Sequence, residues 1–275
     1  MKKLIDLITH SSEEIQVILF LSTVFFCWCI ESLVGLSTGY KKWKHAFLNI
    51  KFIAFNVPVQ LIFGTAMATT ILWTGGHHFG ILYHLPYIKN NFVLFIVGFV
   101  LLDFGEYIYH VIMHKVKRLW MFHLVHHSDP VVDVTTTVRE HPGENSIRTT
   151  FTVLWVFLSG VALWMLLLRQ IIQTFTTLLS HMNYRLPEKT NRVLGWVFIT
   201  PNLHHIHHHY RQPYTDCNYG DVLSIWDRIF GTFSQAPETG IIFGVDTYMA
   251  KKEHSKYKFL LKLPFGKYRK SNPGL

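Results

Sequence analysis

Long apolar runs separated by short polar connections set the architecture. From about Ile15 to Leu36 the chain is apolar, with one interior charge, Glu31, near the end. A second run, Ala46 to Trp73, carries Lys51 near its start and Pro58 inside it. A third extends from Phe92 to Ile112. A bilayer core takes about 20 apolar residues per helix, so each run predicts a membrane-spanning helix. The fourth region, Thr150 to Leu179, is apolar except for Arg169 and Gln170. An arginine near the middle of a single span is costly, so this region is expected to be a hairpin of two short helices. The expected fold class is all-α: an integral membrane helical bundle of about four spans, or three spans plus a hairpin, with a cytoplasmic His-rich helical cap. The segment Met1–His10 is short and mixed. The apolar stretch after it is too long for a signal-peptide core and lacks a clear cleavage site.

Lys and Arg orient the bundle, because short cytoplasmic connections carry an excess of them. Lys41, Lys42 and Lys44 follow the first run, and Lys115, Lys117 and Arg118 follow the third. The connection from Thr74 to Asn91 holds one lysine. The first and third connections are therefore expected on the cytoplasmic side, the second outside, and the N-terminus outside; Lys2 and Lys3 pull against that last assignment. Two polar, His-rich stretches, Lys115–Asn145 and Asn183–Ser234, are expected to lie out of hydrocarbon on the cytoplasmic face.

Composition agrees with lipid as the solvent. Charged residues make up 16% of the chain, against about 25% in soluble domains. The net charge of +9 alone would fit nucleic acid. The basic residues, however, sit at the edges of apolar runs and in the last quarter, where anionic headgroups attract them, so no nucleic-acid partner is expected. Cys27, Cys29 and Cys217 do not form a disulfide framework and are expected to be reduced, buried thiols.

The candidate chemistry lies in the histidines. Of 18, 12 fall between His110 and His209. His110 and His114 are four apart, and so share a helical face. His123, His126 and His127 form an HxxHH pattern. The segment Asn202–His209 contains the pattern in two registers, His204/His207/His208 and His205/His208/His209. Imidazole is a common ligand for iron, zinc and copper, and a helical turn carrying two or three on one face presents them at nearly fixed separations. Interfacial polar residues or a proton relay are the alternative. The adjacent pairs speak against it, because crowded imidazoles gain nothing without an ion.

The segments HVIMH (His110–His114), HLVHHS (His123–Ser128) and HHIHH (His204–His208) resemble the fatty acid hydroxylase superfamily, which includes the sterol desaturases. REHPGE (Arg139–Glu144), SHMNYRLP (Ser180–Pro187) and NYGDVLSIWDRIFGTF (Asn218–Phe233) support the likeness. The resemblance selects the register His204, His207 and His208, leaves His205 and His209 outside, and adds His141 and His181. It implies ten ligands, His110, His114, His123, His126, His127, His141, His181, His204, His207 and His208, around two Fe ions, with zinc as a possible substitute. It divides the chain into N-terminal transmembrane helices (1–91), a hydroxylase-like di-iron domain (92–235) and a basic membrane-surface tail (236–275).

Asp103 and Glu106 are expected to hydrogen-bond the second ring nitrogens of ligands, as metal-bound histidines require. Asp216, Asp221 and Asp227 are further candidates, whereas Asp129 and Asp133 fit a solvated role equally well. His77, His78 and His84 fall in the outward connection and are left out. The implied activity is O2-dependent hydroxylation or desaturation of a lipid C–H bond. The chain carries no GxSxG, HExxH or GxGxxG motif, so electrons are expected from a separate redox protein. A non-enzymatic metal-binding or transport protein would place donors along the spans, and a zinc-dependent membrane hydrolase would need a paired general base. Without a fused cytochrome or a retention signal, a bacterial inner membrane is the expected location.

Overall fold

A computed structural model of the chain describes residues 13–36, 39–235 and 240–270. The Met1–His10 segment, with Lys2 and Lys3, and the last residues of the basic tail lie outside that set. Among the described residues every regular element is helical, with two isolated bridges, Phe198 to Leu223 and His209 to Phe243. In chain order the helices are α1 (Glu13–Val34), α2 (Lys42–Ile50), α3 (Ile53–His77), α4 (Ile81–His84), α5 (Asn91–Lys115), α6 (Lys117–His127), α7 (Pro142–Ser159), α8 (Leu163–His181), α9 (Glu188–Leu194), α10 (Pro201–His207), α11 (Ile225–Ile229), α12 (Lys251–Ser255) and α13 (Tyr257–Lys262).

Two stretches, Lys42–His84 and Asn91–Lys115, are long and apolar enough to cross a membrane. The expected second span is not one helix. Phe52 is fully buried among Leu124, Val125 and Leu260. Its N–H bonds the Asn49 carbonyl in a turn that separates α2 from α3. On α3, Leu61, Ile62 and Leu72 are exposed, as are Phe92, Val93 and Ile96 on α5. An apolar surface this extensive needs a lipid or protein cover.

Helix α5 is the axis of the bundle. Asn90 caps its start, its side chain accepting from the N–H groups of Phe92 and Val93. At Gly105 it approaches α7 so closely that a Cβ would stand 2.4 Å from the Trp155 ring, and Trp155 Nε1 donates to the Leu101 carbonyl. The fourth apolar region does fold as a hairpin. Helix α7 starts eight residues earlier than the hydropathy indicates, because Pro142 occupies its first turn and His141 caps it. The hairpin reverses at Gly160, whose φ is +70° and which packs directly on Gly80. That contact marks the end of the bundle opposite the histidines. Arg169 on α8 is buried and paired, its guanidinium 3.2 Å from Asp221 and 3.9 Å from Glu106.

Helix α1 is pinned by its one interior charge. Glu31 accepts from the N–H groups of Val134 and Asn183 at 2.9 and 2.7 Å and pairs with Lys42 at 3.1 Å. Cys27 and Cys217 are buried, but Cys29 is exposed; it lies two residues from Cys27 on a helix with one packed face. Asp129 and Asp133 are not solvated. Both are fully buried, and His45 bridges them at 2.8 and 2.9 Å. The basic tail folds onto the cap through Leu260 and Leu263, leaving Lys251, Lys252 and Lys258 outward. The stretch expected out of hydrocarbon also exposes apolar residues, among them Trp196, Phe198, Ile229 and Phe230. Phe230 stacks on Phe104 of α5, so this surface adjoins the apolar belt.

Replacing Glu31 by Ala strips two buried N–H groups of their acceptor and takes one of three partners from the half-buried Lys42 ammonium. A loss of about 2–4 kcal/mol is expected. Thermal unfolding of detergent-solubilised protein reads it, with Leu61→Ala as the near-neutral control.

Candidate metal centre

Nine histidines from four elements meet at the end of the bundle away from the Gly80–Gly160 contact. They form two groups, and within each every residue offers a nitrogen within 4.8 Å of the others. The first holds His110, His114, His123, His127 and His207; the second holds His126, His181, His204 and His208. Helix α5 supplies His110 and His114 from its last turns, α6 supplies His123, His126 and His127, and α8 ends on His181. Helix α10 with its C-cap supplies His204, His207 and His208. The two adjacent pairs straddle the groups: His127 and His207 belong to the first, and His126 and His208 to the second. Their rings meet between the groups, with His127 stacked on His208 at 4.5 Å.

Local chemistry sets these helices. Thr200 caps α10 by accepting from the Leu203 N–H, Pro201 opens its first turn, and Asn202 holds the backbone of Leu186 through both side-chain atoms. Asn218 adopts a left-handed φ of 52°, which asparagine tolerates, and donates to the carbonyls of Leu203 and Ser234. Gly220 is required where it stands, since a Cβ would lie 2.4 Å from the Leu223 carbonyl. Asp227 accepts from the N–H groups of Tyr219 and Gly220 at 2.7 and 2.8 Å.

The loop that Asp227 fixes orients the first group. His110 Nδ1 donates to the Tyr219 carbonyl at 2.8 Å, His207 Nδ1 to the Cys217 carbonyl at 2.7 Å, and His114 Nδ1 to Asp216 at 3.3 Å. From the other side His123 Nδ1 donates to Glu144 at 2.5 Å, and in the second group His181 Nδ1 donates to the Thr177 carbonyl at 2.8 Å. Each bond puts the ring proton on Nδ1 and turns the Nε2 lone pair inward, the arrangement that metal-bound histidines need.

The inward nitrogens fit metal ions better than they fit one another. His181 Nε2 lies 3.1, 3.0 and 3.3 Å from Nε2 of His126, His204 and His208, and the last two are 3.2 Å apart. Three mutually close imidazole nitrogens cannot all be satisfied by hydrogen bonds, since each neutral ring has one proton. Nitrogens at about 2.0–2.1 Å from a common ion stand roughly 2.9–3.4 Å apart between octahedral and tetrahedral angles. In the first group His114 Nε2, His207 Nε2 and both nitrogens of His127 are buried without a partner. Burial, with Arg148 nearby, pushes His123 down to about 3. Burial and neighbouring imidazoles hold His127, His207 and His208 well below the usual histidine range. They are neutral near pH 7 and so competent as ligands.

Three expectations from the sequence change. His141 joins neither group: its Nδ1 accepts from the Gly143 N–H at 2.9 Å, capping α7, and its Nε2 faces the Leu261 carbonyl at 3.2 Å. Both ring nitrogens are therefore used structurally. Asp103 and Glu106 bond no ligand. Asp103 accepts from Val222, Leu223 and Trp226, while Glu106 pairs with Arg148 and Arg169. Of the later aspartates Asp216 alone contacts a ligand, whereas Asp221 meets Arg169 and Asp227 secures the loop. His205 is buried against Phe243, outside both groups, and His209 interacts with the backbone of Arg211.

Sequence reasoning missed Glu144 as the partner of His123, although a carboxylate inside a His-rich segment is the usual signal for one. It also missed His45, a lone histidine in a basic connection, which gives no signal of its own. A cavity of about 440 Å³ reaches both groups, touching His110, His123, His126, His181 and His204.

Two substitutions separate ligand from cap. Purified His204→Ala should lose at least about tenfold in metal affinity, as should Asp227→Ala through its loop, whereas His141→Asn, which can still cap α7, should keep its metal. Metal analysis after dialysis against a graded chelator measures all three.

Residues 95–232 match the family model described as fatty acid hydroxylase. The ornithine lipid hydroxylase OlsE of Rhizobium tropici is 32% identical over 142 residues, covering 52% of this chain and 42% of the relative. The alkylglycerol monooxygenase of Homo sapiens is 30% identical over 171 residues, covering 59% and 35%. A cholesterol 25-hydroxylase-like protein of Danio rerio is 28% identical over 134 residues, covering 48% and 52%. The chain thus spans less than half the length of the first two relatives and about half of the third. No solved structure matches significantly. The family match takes in half of the chain and all nine clustered histidines, from His110 to His208, and the chain belongs to the fatty acid hydroxylase family.

Proposed function

We propose that the protein is a membrane-embedded di-iron lipid hydroxylase. The observation that carries this reading is the pair of histidine groups, five and four imidazoles, sharing the wall of one cavity. The ligand set is His110, His114, His123, His127 and His207 at one ion and His126, His181, His204 and His208 at the other. When bound, the iron pair supplies the capacity to reduce O2 and oxidise an unactivated C–H bond. The overall balance is C–H plus O2 plus two electrons and two protons, giving C–OH and water. The relatives compared above are named hydroxylases and monooxygenases, which favours hydroxylation over desaturation. A separate redox protein delivers the electrons, because the chain carries no flavin or nicotinamide motif.

The chain's own residues orient and insulate. The loop carbonyls of Cys217 and Tyr219, with Asp216, Glu144 and the Thr177 carbonyl, hold five rings in position. Leu124, Val125 and the tail residues Leu260 and Leu263 close the cap above α6 against water. Helices α1, α3 and α5 are read as spans, with α7–α8 as a hairpin entering from the same side as the histidines. The excess of Lys and Arg on that side, at Lys41, Lys42, Lys44, Lys115, Lys117 and Arg118, favours a cytoplasmic orientation for it. The substrate enters sideways from the bilayer, where the cavity reaches exposed Leu61 on α3 and Gln170 on α8.

Iron-loaded protein with a chemical or protein reductant should consume O2 when given lipid. It should yield a product one oxygen atom heavier, carrying label from 18O2. Lipid-independent uptake, or zinc retained with no oxidation of any lipid after iron exchange, would overturn the reading.

A further inference from the structure

The histidine groups have two unlike faces. The cavity reaches His110, His123, His126, His181 and His204, but not His114, His127 or His207. On that other face a tryptophan sits against the ligands. The Trp120 ring lies 4.8 Å from His114, 5.3 Å from His127 and 6.2 Å from His123, centroid to centroid. It packs on the cluster of Phe52, Leu124 and Leu260 yet stays half-buried, and it takes no part in the cavity lining. Tyr219, which also meets three histidines of the first group, is fully buried. In the second group every ring contact among the described residues is with another histidine. The surface around Trp120 is basic. Lys115, Val116, Lys117 and Arg118 are consecutive, exposed and within about a turn of it. The tail adds Lys267 and Arg269 on either side of Tyr268, whose ring lies 5.8 Å from Lys117 Nζ. Asp216 pairs with Lys115 and Glu253 with Arg269; among the described residues no carboxylate pairs with Lys117, Arg118 or Lys267. Helix α5 has 25 residues, about 37 Å at 1.5 Å per residue, against a hydrocarbon core of roughly 30 Å. Its Lys115 end therefore clears the acyl chains.

We propose that this patch docks a small acidic one-electron carrier protein, and that Trp120 is the bridge by which its electrons reach the first histidine group. The inference rests on the hydroxylase reading above and places the donor that reading requires on the face away from the cavity. Each carrier molecule gives up one electron and is left oxidised, and one ferric ion in the site becomes ferrous. Two such transfers meet the two-electron need of one turnover, and the protons come from water. The indole closes the gap between carrier and ligands by contact and undergoes no net oxidation or reduction. The stacked His127 and His208 rings, 4.5 Å apart, pass an electron on to the second group. Lysines and an arginine around an aromatic residue suit an acidic protein, because complementary charge steers encounter and fixes register. Anionic lipid headgroups are the competing occupant of a basic patch. They have no use for a ring in contact with the ligands, and this patch adjoins one. Carrier and substrate on opposite faces can be bound at the same time.

The test uses two acidic carriers, a two-iron ferredoxin and a flavodoxin, with the protein in phosphatidylcholine nanodiscs. Binding is measured on zinc-loaded protein, which accepts no electrons. Affinity for at least one carrier should fall as salt rises, and the double reversal Lys117→Glu/Arg118→Glu should weaken it at least about tenfold. Lys89→Glu, an exposed site beside the start of α5, should leave it unchanged. Reduction is then followed by stopped-flow absorbance on iron-loaded protein without lipid substrate. Trp120→Leu should slow reduction by the reduced carrier several-fold, while metal content, carrier binding and reduction by dithionite stay as in the wild type. Trp120→Phe, which keeps a ring, should recover most of the rate. Binding of both carriers that is absent, indifferent to salt or untouched by the double reversal would overturn the inference, the last outcome leaving the patch to lipid headgroups. Metal-replete Trp120→Leu protein reduced by the carrier at the wild-type rate would overturn it equally. The double reversal lies on the surface, so the docking arm decides even where Trp120→Leu fails to fold. Neither arm needs lipid turnover. Docking and reduction intact with no lipid oxidised would sink the hydroxylase reading alone, whereas lipid oxidised with dithionite but no docking would sink this inference alone.

Discussion

Nine neutral imidazoles packed into one volume are unfavourable unless their lone pairs share a cation, and the rest of the architecture answers that constraint. The outward nitrogens of five rings are tied to three backbone carbonyls and two carboxyl groups. That single choice of proton position turns the opposite nitrogens inward, where they stand 3.0–3.3 Å apart in the second group. The same constraint explains why Asp227, which touches no histidine, matters. It fixes the backbone of Tyr219 and Gly220, and the neighbouring carbonyls fix His110 and His207.

The helices supply this arrangement from opposite directions. Helix α5 delivers His110 and His114 at its C-terminal end, α8 delivers His181 at its own, and α7 starts beside them with Glu144. The Gly80–Gly160 contact and the close approach at Gly105 keep α5, α7 and α8 together over the length between. A metal-transport protein would need donors distributed along that length. Here they gather at one end, and the charges deeper in the bundle, Glu106, Arg148 and Arg169, are spent on one another.

Periodic features were legible in the sequence because one helix carries them whole. The apolar runs of α1, α3 and α5 announce themselves, and offsets of three and four put His110 with His114 and His123 with His127. What the spacing could not show depends on residues distant in the chain. The split of each adjacent pair between the two groups is set by how the rings of α6 meet those at the end of α10. The break between α2 and α3 comes from Phe52 packing on Leu124 and Leu260. Arg169 looked expensive for a membrane helix, and its cost is offset by Asp221, 52 residues on. His141 had the look of a ligand because it sits in a His-Pro element, but the same position is the N-cap of α7: Nδ1 accepts the Gly143 N–H, which leaves the ring proton on Nε2, facing the Leu261 carbonyl, and no lone pair for a metal. The assignment of Asp103 and Glu106 failed for a related reason. Asp103 and Glu106, two turns and one turn before His110, are taken up by Val222, Leu223 and Trp226 and by Arg148 and Arg169, whereas the rings of His110 and His114 are held by the loop after α10.

The most direct test of the account is X-ray absorption and Mössbauer spectroscopy on purified protein loaded with 57Fe. The account predicts two inequivalent irons per chain, each showing the outer-shell scattering of several imidazoles and no sulfur neighbour. One iron per chain, a sulfur shell, or an environment without imidazole scattering would contradict it.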